Sequence, residues 1–217
     1  MIFFIIIKKK SERIQNKNFK LIKKKQLWKH LLDKLTRYKV FIDTDSEKII
    51  KYCKKYYPNV FVYKRDKKFI EFEDKKNNKI SPVLMMIKNF LKNYIFDDNQ
   101  VVVTTHVTSP FLKLKTIRKA SKYLNKYEFV HSVTEHHEFA WIKKNKKLIK
   151  INFDKKVKKT QNLDPIFFSN GAFFIFKKKS FMKYNNRLGN KNFFYKINYP
   201  ESIEIDNYND LKLARMI

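Results

Sequence analysis

Two carboxylates alternate with isoleucines in "PESIEID", residues 200–206, close to the C-terminal end of the sequence. In an extended chain, side chains two positions apart project to the same side, so Glu204 and Asp206 share one face. Neighbouring carboxylates repel each other, and a cation relieves that repulsion. Hard oxygen ligands at this spacing suit Mg²⁺ carrying a nucleoside triphosphate. An exposed strand face with two acids is the alternative, although a local acidic pair is less expected in a chain of net charge +30.

A second candidate site is the stretch "IIIKKKSERIQNKNFK", residues 5–20, where an apolar run stops at three lysines. Ammonium groups and exposed backbone amides after a strand neutralise a polyphosphate, and the hydroxyl of Ser11 adds a donor. Lys17 and Asn18 could place an ammonium and an amide beside a phosphate and a base. The stretch contains no glycine, and a lysine cluster in so basic a chain also fits a solvated surface.

A third candidate is "THVTSP", residues 105–110, which predicts a rigid turn bearing the hydroxyls of Thr108 and Ser109 after a buried strand. A plain helix cap would use the same residues. The adjacent His136 and His137 would point in opposite directions on a strand, which argues against a two-histidine metal site. The sequence has no Gly-x-Ser-x-Gly motif for a nucleophilic serine.

The charge comes almost entirely from lysine, because six of the 50 basic residues are arginines. Lys, Ile, Asn, Phe and Tyr are frequent and Gly occurs twice, a pattern typical of an AT-rich genome. A protein selected to recognise bases or phosphates would contain more arginine, because the guanidinium group makes bidentate contacts. The aromatic residues also lie in apolar strands, so we expect anionic small ligands and not nucleic acid.

The single cysteine, Cys53, excludes an intrachain disulfide and a four-cysteine zinc site. No apolar run reaches the length of a membrane span, and the opening "MIFFIII" lacks the basic region and cleavage site of a signal peptide. We therefore expect a cytoplasmic protein with no membrane partner.

Strand and helix patterns alternate from the first residue, which predicts one α/β domain over residues 1–217 with a doubly wound, mostly parallel sheet. The irregular region at about 135–170 predicts an inserted flap or dimerisation segment. The charged residues 66–79 predict a surface loop. In such a sheet, ligands bind at the carboxyl ends of the strands, where the three candidate motifs fall.

The order of these motifs resembles that of the acylneuraminate cytidylyltransferases, which make CMP-activated sialic acids and related nonulosonic acids. Their opening loop, A-R-x-G-S-x-R-x-x-x-K-N, matches "IKKKSERIQNKN" at residues 7–18. Further matches follow in order along nearly the whole chain: "DTDS" at 43–46, "HVTSP" at 106–110, "SVTEHH" at 132–137, "QNLDPIFFSNGAFFIF" at 161–176 and "SIEIDNYND" at 202–210. The resemblance implies a nucleotide-diphospho-sugar transferase-like fold and a homodimer.

The resemblance also implies roles for individual residues in transfer of CMP from CTP to an acidic nine-carbon sugar for surface glycans, with release of pyrophosphate. The implied catalytic residues are Lys8, Lys17 and Asp206. The implied nucleotide-binding residues are Lys8, Ser11, Lys17, Asn18, Asp45, Thr108 and Ser109. The implied sugar-binding residues are His106, Lys158, Lys159, Gln161 and Asn170. Glu204 and Asp206 would hold Mg²⁺ or Mn²⁺.

The sequence departs from the family pattern at several of these positions. Lys8 stands where the family has arginine, and Lys10 where it has glycine, so the loop loses a bidentate fork and a close backbone approach. His106 replaces a glutamine and Glu204 an aspartate. Two alternatives therefore stay beside the cytidylyltransferase: a catalytically inactive nucleotide-binding relative and a basic nucleic-acid-binding protein.

Overall fold

A computed structural model of the protein describes residues 1–74, 82–154 and 159–217. The strands in these ranges are β1 (Ile2–Ile7), β2 (Leu21–Ile22), β3 (Lys25–Gln26), β4 (Val40–Thr44), β5 (Val60–Lys64), β6 (Val101–Thr105), β7 (Phe129–His136), β8 (Trp141–Lys144), β9 (Lys147–Lys150), β10 (Ile166–Lys177) and β11 (Asn192–Lys196). Within the described residues, seven of them form one sheet in the order β11-β7-β10-β6-β1-β4-β5.

The sheet is mostly parallel, as the sequence predicts. β1 pairs in parallel with β4 and β6, β4 with β5, and β11 with β7, whereas β10 runs antiparallel to both of its neighbours. Every residue of β1 is apolar because this strand lies in the interior of the sheet and is covered on both faces.

Helices cover both faces of the sheet. The helices are α1 (Leu27–Leu32), α2 (Glu47–Tyr56), α3 (Lys67–Asp74), α4 (Pro82–Asn93), α5 (Leu114–Ser121), α6 (Lys178–Tyr184) and α7 (Tyr208–Met216). One core cluster joins Phe3 of β1 to α1, α2 and α5, and a second joins Phe4 to α3, α4 and α6. This arrangement confirms the doubly wound α/β fold. None of the described helices is long and apolar enough to cross a membrane.

The direction of winding reverses at β1, which has β4 on one side and β6 on the other. A reversal of this kind leaves a crevice beyond the carboxyl ends of the two strands, because the connections that follow them leave in opposite directions. The chain after β1 contains Lys8 to Asn18, and the chain after β6 contains His106 to Pro110. Two of the three candidate motifs therefore meet at one crevice.

The third motif is brought to the same crevice by a small apolar cluster. Ile14 from the loop after β1 and Ile205 from "SIEID" are fully buried together with Leu211 and Ala214 of α7. The Ile205 amide also donates a hydrogen bond of 2.8 Å to the carbonyl of Thr108. Burial of Ile205 turns the flanking Glu204 and Asp206 toward the crevice, as the spacing predicts.

Two boundaries differ from the sequence prediction. Residues 67–74, predicted as loop, form α3, with Phe69 buried against the sheet. The inserted segment is also shorter than residues 135–170, because β7 extends to His136 and β10 begins at Ile166. Between them β8 and β9 form an antiparallel hairpin that is a separate two-stranded sheet.

Candidate active site

A cavity of about 350 Å³ opens at the carboxyl ends of β1 and β6. Eight of the residues predicted to form the site line it: Lys8, Ser11, Lys17, Asn18, His106, Thr108, Glu204 and Asp206. These residues come from three separate segments of the chain. The fold therefore brings the lysine loop, the hydroxyl-bearing turn and the paired acids to one place.

The loop after β1 closes without glycine. Asn16 takes the left-handed conformation, with φ of 54° and ψ of 36°, which asparagine tolerates better than most residues. Asn18 fixes the loop from inside, because its Nδ2 donates a hydrogen bond of 2.8 Å to the carbonyl of Lys8. Its Oδ1 is buried and accepts no hydrogen bond from the described residues. Lys10, at the position of the family's glycine, lines the cavity.

Asp206 holds two cations of that loop. Its Oδ1 accepts hydrogen bonds from Arg13 Nη2 at 2.9 Å and from Lys17 Nζ at 3.2 Å. Lys17 also donates to the carbonyl of Ile205 at 2.8 Å. The Asp206 amide donates to Asp210 Oδ2 at 2.8 Å, beside the capping box that begins α7. The carboxylate is thus fixed at the start of a helix and faces the loop's ammonium and guanidinium groups.

Glu204 is fixed from the other side of the cavity. Its Oε1 accepts a hydrogen bond of 3.1 Å from Thr108 Oγ1 and lies 3.1 Å from His106 Nδ1. Gly171 of β10 approaches the same carboxylate, at a bulge where φ is +69°. The turn after β6 and the Asn-Gly-Ala sequence in β10 therefore position one acid between them.

A family model described as Cytidylyltransferase matches residues 2–217. The chain belongs to this family. Two relatives named N-acylneuraminate cytidylyltransferase, from Streptococcus agalactiae serotypes III and Ia, are each 27% identical to it over 135 residues. The match covers 58% of this chain and 31% of each relative, so it spans less than a third of their length.

Solved structures of a synthase and a synthetase share the fold. The 4-diphosphocytidyl-2C-methyl-D-erythritol synthase of Anaerococcus prevotii superimposes with a TM-score of 0.65 at 14% identity, covering 99% of this chain and 97% of that one. A CMP:2-keto-3-deoxy-manno-octonic acid synthetase gives a TM-score of 0.62 at 8% identity, with 99% and 96% covered. At these identities the likeness supports the architecture.

Glu204 and Asp206 are the two carboxylates predicted from the sequence to hold a divalent cation. In the part of the chain that the structure describes, no group of three or more His, Cys, Asp or Glu side chains could hold a metal. Mg²⁺ that arrives on a nucleotide needs fewer protein ligands, because the phosphates and water supply the rest. Glu204 and Asp206 both line the cavity and fit that requirement. Each has one oxygen already engaged with protein donors.

Five predicted site residues lie outside the residues that line the cavity, and Lys158 lies outside the described residues. Asp45 accepts a hydrogen bond from the Lys9 amide, so it anchors the loop from β4. Ser109 is fully buried under the turn. On β10, Asn170 accepts from the Ala172 amide at 3.3 Å. The exposed Lys159 and Gln161 belong to a 3-10 turn and its cap. Contact of these residues with substrate stays a prediction.

Two arginines that line the cavity, Arg13 and Arg187, were not among the predicted site residues. Arg13 lies within the quoted loop motif, but spacing alone did not indicate its ion pair with Asp206. Arg187 follows α6, where neither a strand end nor a motif marks it. Their residue type is a usable signal, because an arginine stands out in a chain whose basic residues are almost all lysine.

Proposed function

We propose that the protein transfers CMP from CTP to the anomeric hydroxyl of a sialic-acid-like nonulosonic acid and releases pyrophosphate. The observation that carries this proposal is the convergence of a lysine loop and two fixed carboxylates on one cavity at the reversal of the sheet. The names of the Streptococcus agalactiae relatives support the choice of acceptor. Other members of the fold act on different acceptors, so the acceptor needs its own test.

The loop after β1 would hold the triphosphate. Lys8, Lys10, Lys17 and Arg13 line that part of the cavity, and charge neutralisation is the main requirement of phosphoryl transfer. The charge of the ammonium groups provides part of the phosphate stabilisation that backbone amides of a glycine-containing loop provide by approaching closely. The triphosphate would draw Lys17 and Arg13 away from Asp206, which frees that carboxylate. Mg²⁺ held by Glu204 and Asp206 would further neutralise the phosphates.

Asn18 is suited to contact the base. Its buried Oδ1 has no donor among the described residues, and an unpaired acceptor in a closed site favours a ligand N–H. The 4-amino group of cytosine is such a donor. The fixed Nδ2 contact with Lys8 keeps Oδ1 pointing in one direction.

The hydroxyl-bearing turn would lie between nucleotide and acceptor. Thr108 and His106 hold Glu204 in the cavity from the turn after β6. Transfer of this kind depends on orienting the hydroxyl for in-line attack on the α-phosphorus, as the Pα–O bond to pyrophosphate breaks. No activated nucleophile is required of the protein. Since CTP is a cytoplasmic nucleotide, we place the reaction in the cytoplasm.

The β8–β9 hairpin is the proposed homodimer surface. Its exposed apolar side chains are Trp141, Ile142, Leu148 and Ile149, with Ile151 beside them. Side chains alternate along a strand, so the paired Ile142 and Ile149 share one face of the hairpin and Trp141 and Leu148 the other. Exposed apolar side chains grouped on a charged chain are typical of a protein–protein contact. Two-fold pairing is the commonest way for a chain to cover such a surface with itself.

The direct test incubates the protein with CTP, Mg²⁺ and a panel of nonulosonic acids, and measures pyrophosphate. Release that depends on one acid supports the proposal. CTP binding without release for any acid would instead support an inactive relative. Tight, salt-sensitive binding of an oligonucleotide without CTP binding would overturn the proposed function and indicate a nucleic-acid-binding protein.

A further inference from the structure

A row of paired residues crosses the sheet beneath the cavity. In the strand register, Phe4 of β1 pairs with Thr104 of β6, Thr104 with Phe174 of β10, and Phe174 with His131 of β7. Thr104 and His131 are polar residues in this otherwise aromatic row, and both are buried. Thr104 Oγ1 and His131 Nδ1 have no hydrogen-bond partner among the described residues. Buried polar atoms are normally paired, so this part of the sheet is built for something polar.

Arg187 lies over the same row. Its guanidinium carbon is 3.8 Å from the centre of the Phe174 ring, and its Nη1 is sealed from solvent without an acceptor in the described ranges. Arg187, Thr104 and Phe4 all line the cavity. Arg187 and Thr104 thus line the same cavity, and each carries a sealed polar atom without a partner among the described residues.

Within the described ranges, no carboxylate forms an ion pair or hydrogen bond with Arg187. Glu204 is the acid that acts on its charge, but Glu204 Oε1 is already shared by Thr108 and His106. Burial lowers the pKa of Arg187 to about 10, which leaves it charged at neutral pH. Burial and then the charge of Arg187 lower the pKa of His131 to about 4, so the neighbouring imidazole is neutral. Arg187 is partly buried, and a cation that has lost water without gaining a protein acceptor destabilises the fold, so an incoming anion removes that penalty.

We propose that Arg187 and Thr104 form an anion-binding subsite at the inner end of the cavity, which takes the carboxylate of the acceptor sugar. The identity of that ligand rests on the proposed function, whereas the affinity for an anion does not. The nucleotide phosphates are an unsuitable occupant because their cations follow β1, while Arg187 lies over β10, on the far side of β6. Lys159, predicted to bind the sugar, is exposed and does not line the cavity. Arg187 would supply the cation that binds the acid there.

The kinetic test uses Arg187→Met and Arg187→Lys, with N-acetylneuraminic acid as the acceptor. We expect Arg187→Met to raise the acceptor KM by about 10- to 100-fold, because the variant loses a charge-assisted hydrogen bond. The KM for CTP should be unchanged. Arg187→Lys should give an intermediate value because it keeps charge but loses the fork. Arg118→Met removes the same charge from the exposed face of α5 and should change neither constant. A raised KM for CTP with an unchanged acceptor KM would overturn the assignment.

Direct binding separates this inference from the proposed function. Calorimetry compares N-acetylneuraminic acid, its methyl ester and 2-C-methyl-D-erythritol 4-phosphate on the wild type and on Arg187→Met. We expect the wild type to prefer the acid over the ester and the variant not to discriminate. Arg187-dependent binding of the acid without pyrophosphate release would overturn the proposed function and leave the subsite intact. Preference for the phosphate ester would overturn the carboxylate as its occupant.

The melting temperature is a further measurement, and Arg187→Met would lower it if Arg187 had a structural role. Replacing an unpaired buried charge by an apolar side chain of similar volume is neutral or stabilising. We therefore expect Arg187→Met to melt at the wild-type temperature or above it. A lower melting temperature with an unchanged acceptor KM would make Arg187 a structural residue and overturn the subsite.

Discussion

The backbone of Gly171 lies directly against the carboxylate of Glu204. A Cβ at position 171 would be 2.7 Å from Glu204 Oε2, closer than such contacts occur. The φ of +69° also falls in the left-handed region that favours glycine. Two independent restrictions thus apply to one residue of the Asn-Gly-Ala sequence, and one of them protects the position of Glu204, a predicted metal ligand.

Gly171→Ala should therefore reduce both stability and turnover. We expect a loss of at least about 1 kcal/mol of unfolding free energy from the left-handed conformation alone, with a further loss from displacement of Glu204. Urea denaturation measures the first effect and pyrophosphate release the second.

A double-mutant cycle isolates the contact between these two residues. In a Glu204→Ala background the added methyl no longer meets a carboxylate, so Gly171→Ala should destabilise less than it does in the wild type. Equal losses in both backgrounds would mean that only the backbone conformation matters.

The paired acids should each be required for turnover. We expect Glu204→Gln and Asp206→Asn to lower kcat by about 100-fold or more, the scale of losing one preorganised charged group. Glu47→Gln is the matched control, because Glu47 forms an exposed ion pair with Lys64 away from the cavity. Unchanged rates at saturating Mg²⁺ would remove the two acids from the site.

The loop without glycine depends on Asn16. Asn16→Ala should lower the unfolding free energy by about 1 kcal/mol, because alanine tolerates the left-handed conformation less well. Asn16→Gly should be neutral or nearly so. Chemical denaturation of the three proteins ranks them, and a KM for CTP that rises only in Asn16→Ala would tie the turn to phosphate binding. Equal stability of the alanine and glycine variants would contradict this reading of the loop.

Patterns that arise from one segment could be predicted from the sequence. The apolar run of β1 identified a central strand, and the alternation around Ile205 gave the direction of Glu204 and Asp206. Helix α3 was missed because five of its eight residues are charged, which obscures the helical spacing of Phe69 and Phe72. Asp45 was predicted to lie near the nucleoside, and its carboxylate accepts a hydrogen bond from the Lys9 amide, a contact that spacing does not disclose.

Arg187 could not be predicted from a pattern within one segment, because its proposed role depends on residues from three strands. Thr104, Phe174 and His131 meet only through the register of β6, β10 and β7. The scarcity of arginine in the sequence would have been a usable signal for predicting Arg187. Arg65 forms a buried ion pair with Asp43 at 2.5 Å, and Arg13 forms the pair with Asp206. In this lysine-rich chain, three of the six arginines therefore have specific positions that lysine would fill less well.

His131 should make stability depend on pH in the acidic range. Its pKa is lowered from 6.5 to about 4, mainly by burial, so the unfolded chain binds a proton that the folded chain does not. Stability should fall as pH drops from about 6.5 to about 4, by roughly 2 to 3 kcal/mol over the whole window. Denaturant titrations at pH 7, 6, 5 and 4.5 measure the slope. His131→Leu should flatten it, and an identical slope in that variant would exclude His131 as its source.

The hairpin surface provides the last prediction. Ile142 of β8 and Ile149 of β9 are paired directly and are both about half exposed, at 54% and 47%. Changing both to lysine leaves the hairpin hydrogen bonds intact and places two charges in the centre of the proposed contact. We expect the wild type to elute as a dimer in size-exclusion chromatography with light scattering, and the double variant as a monomer with an unchanged melting curve at low concentration. Lys143→Ala with Lys147→Ala, on the same hairpin, is the matched control and should remain dimeric. A monomeric wild type would remove this surface as a dimer interface, and a dimeric lysine variant would place the interface elsewhere on the chain.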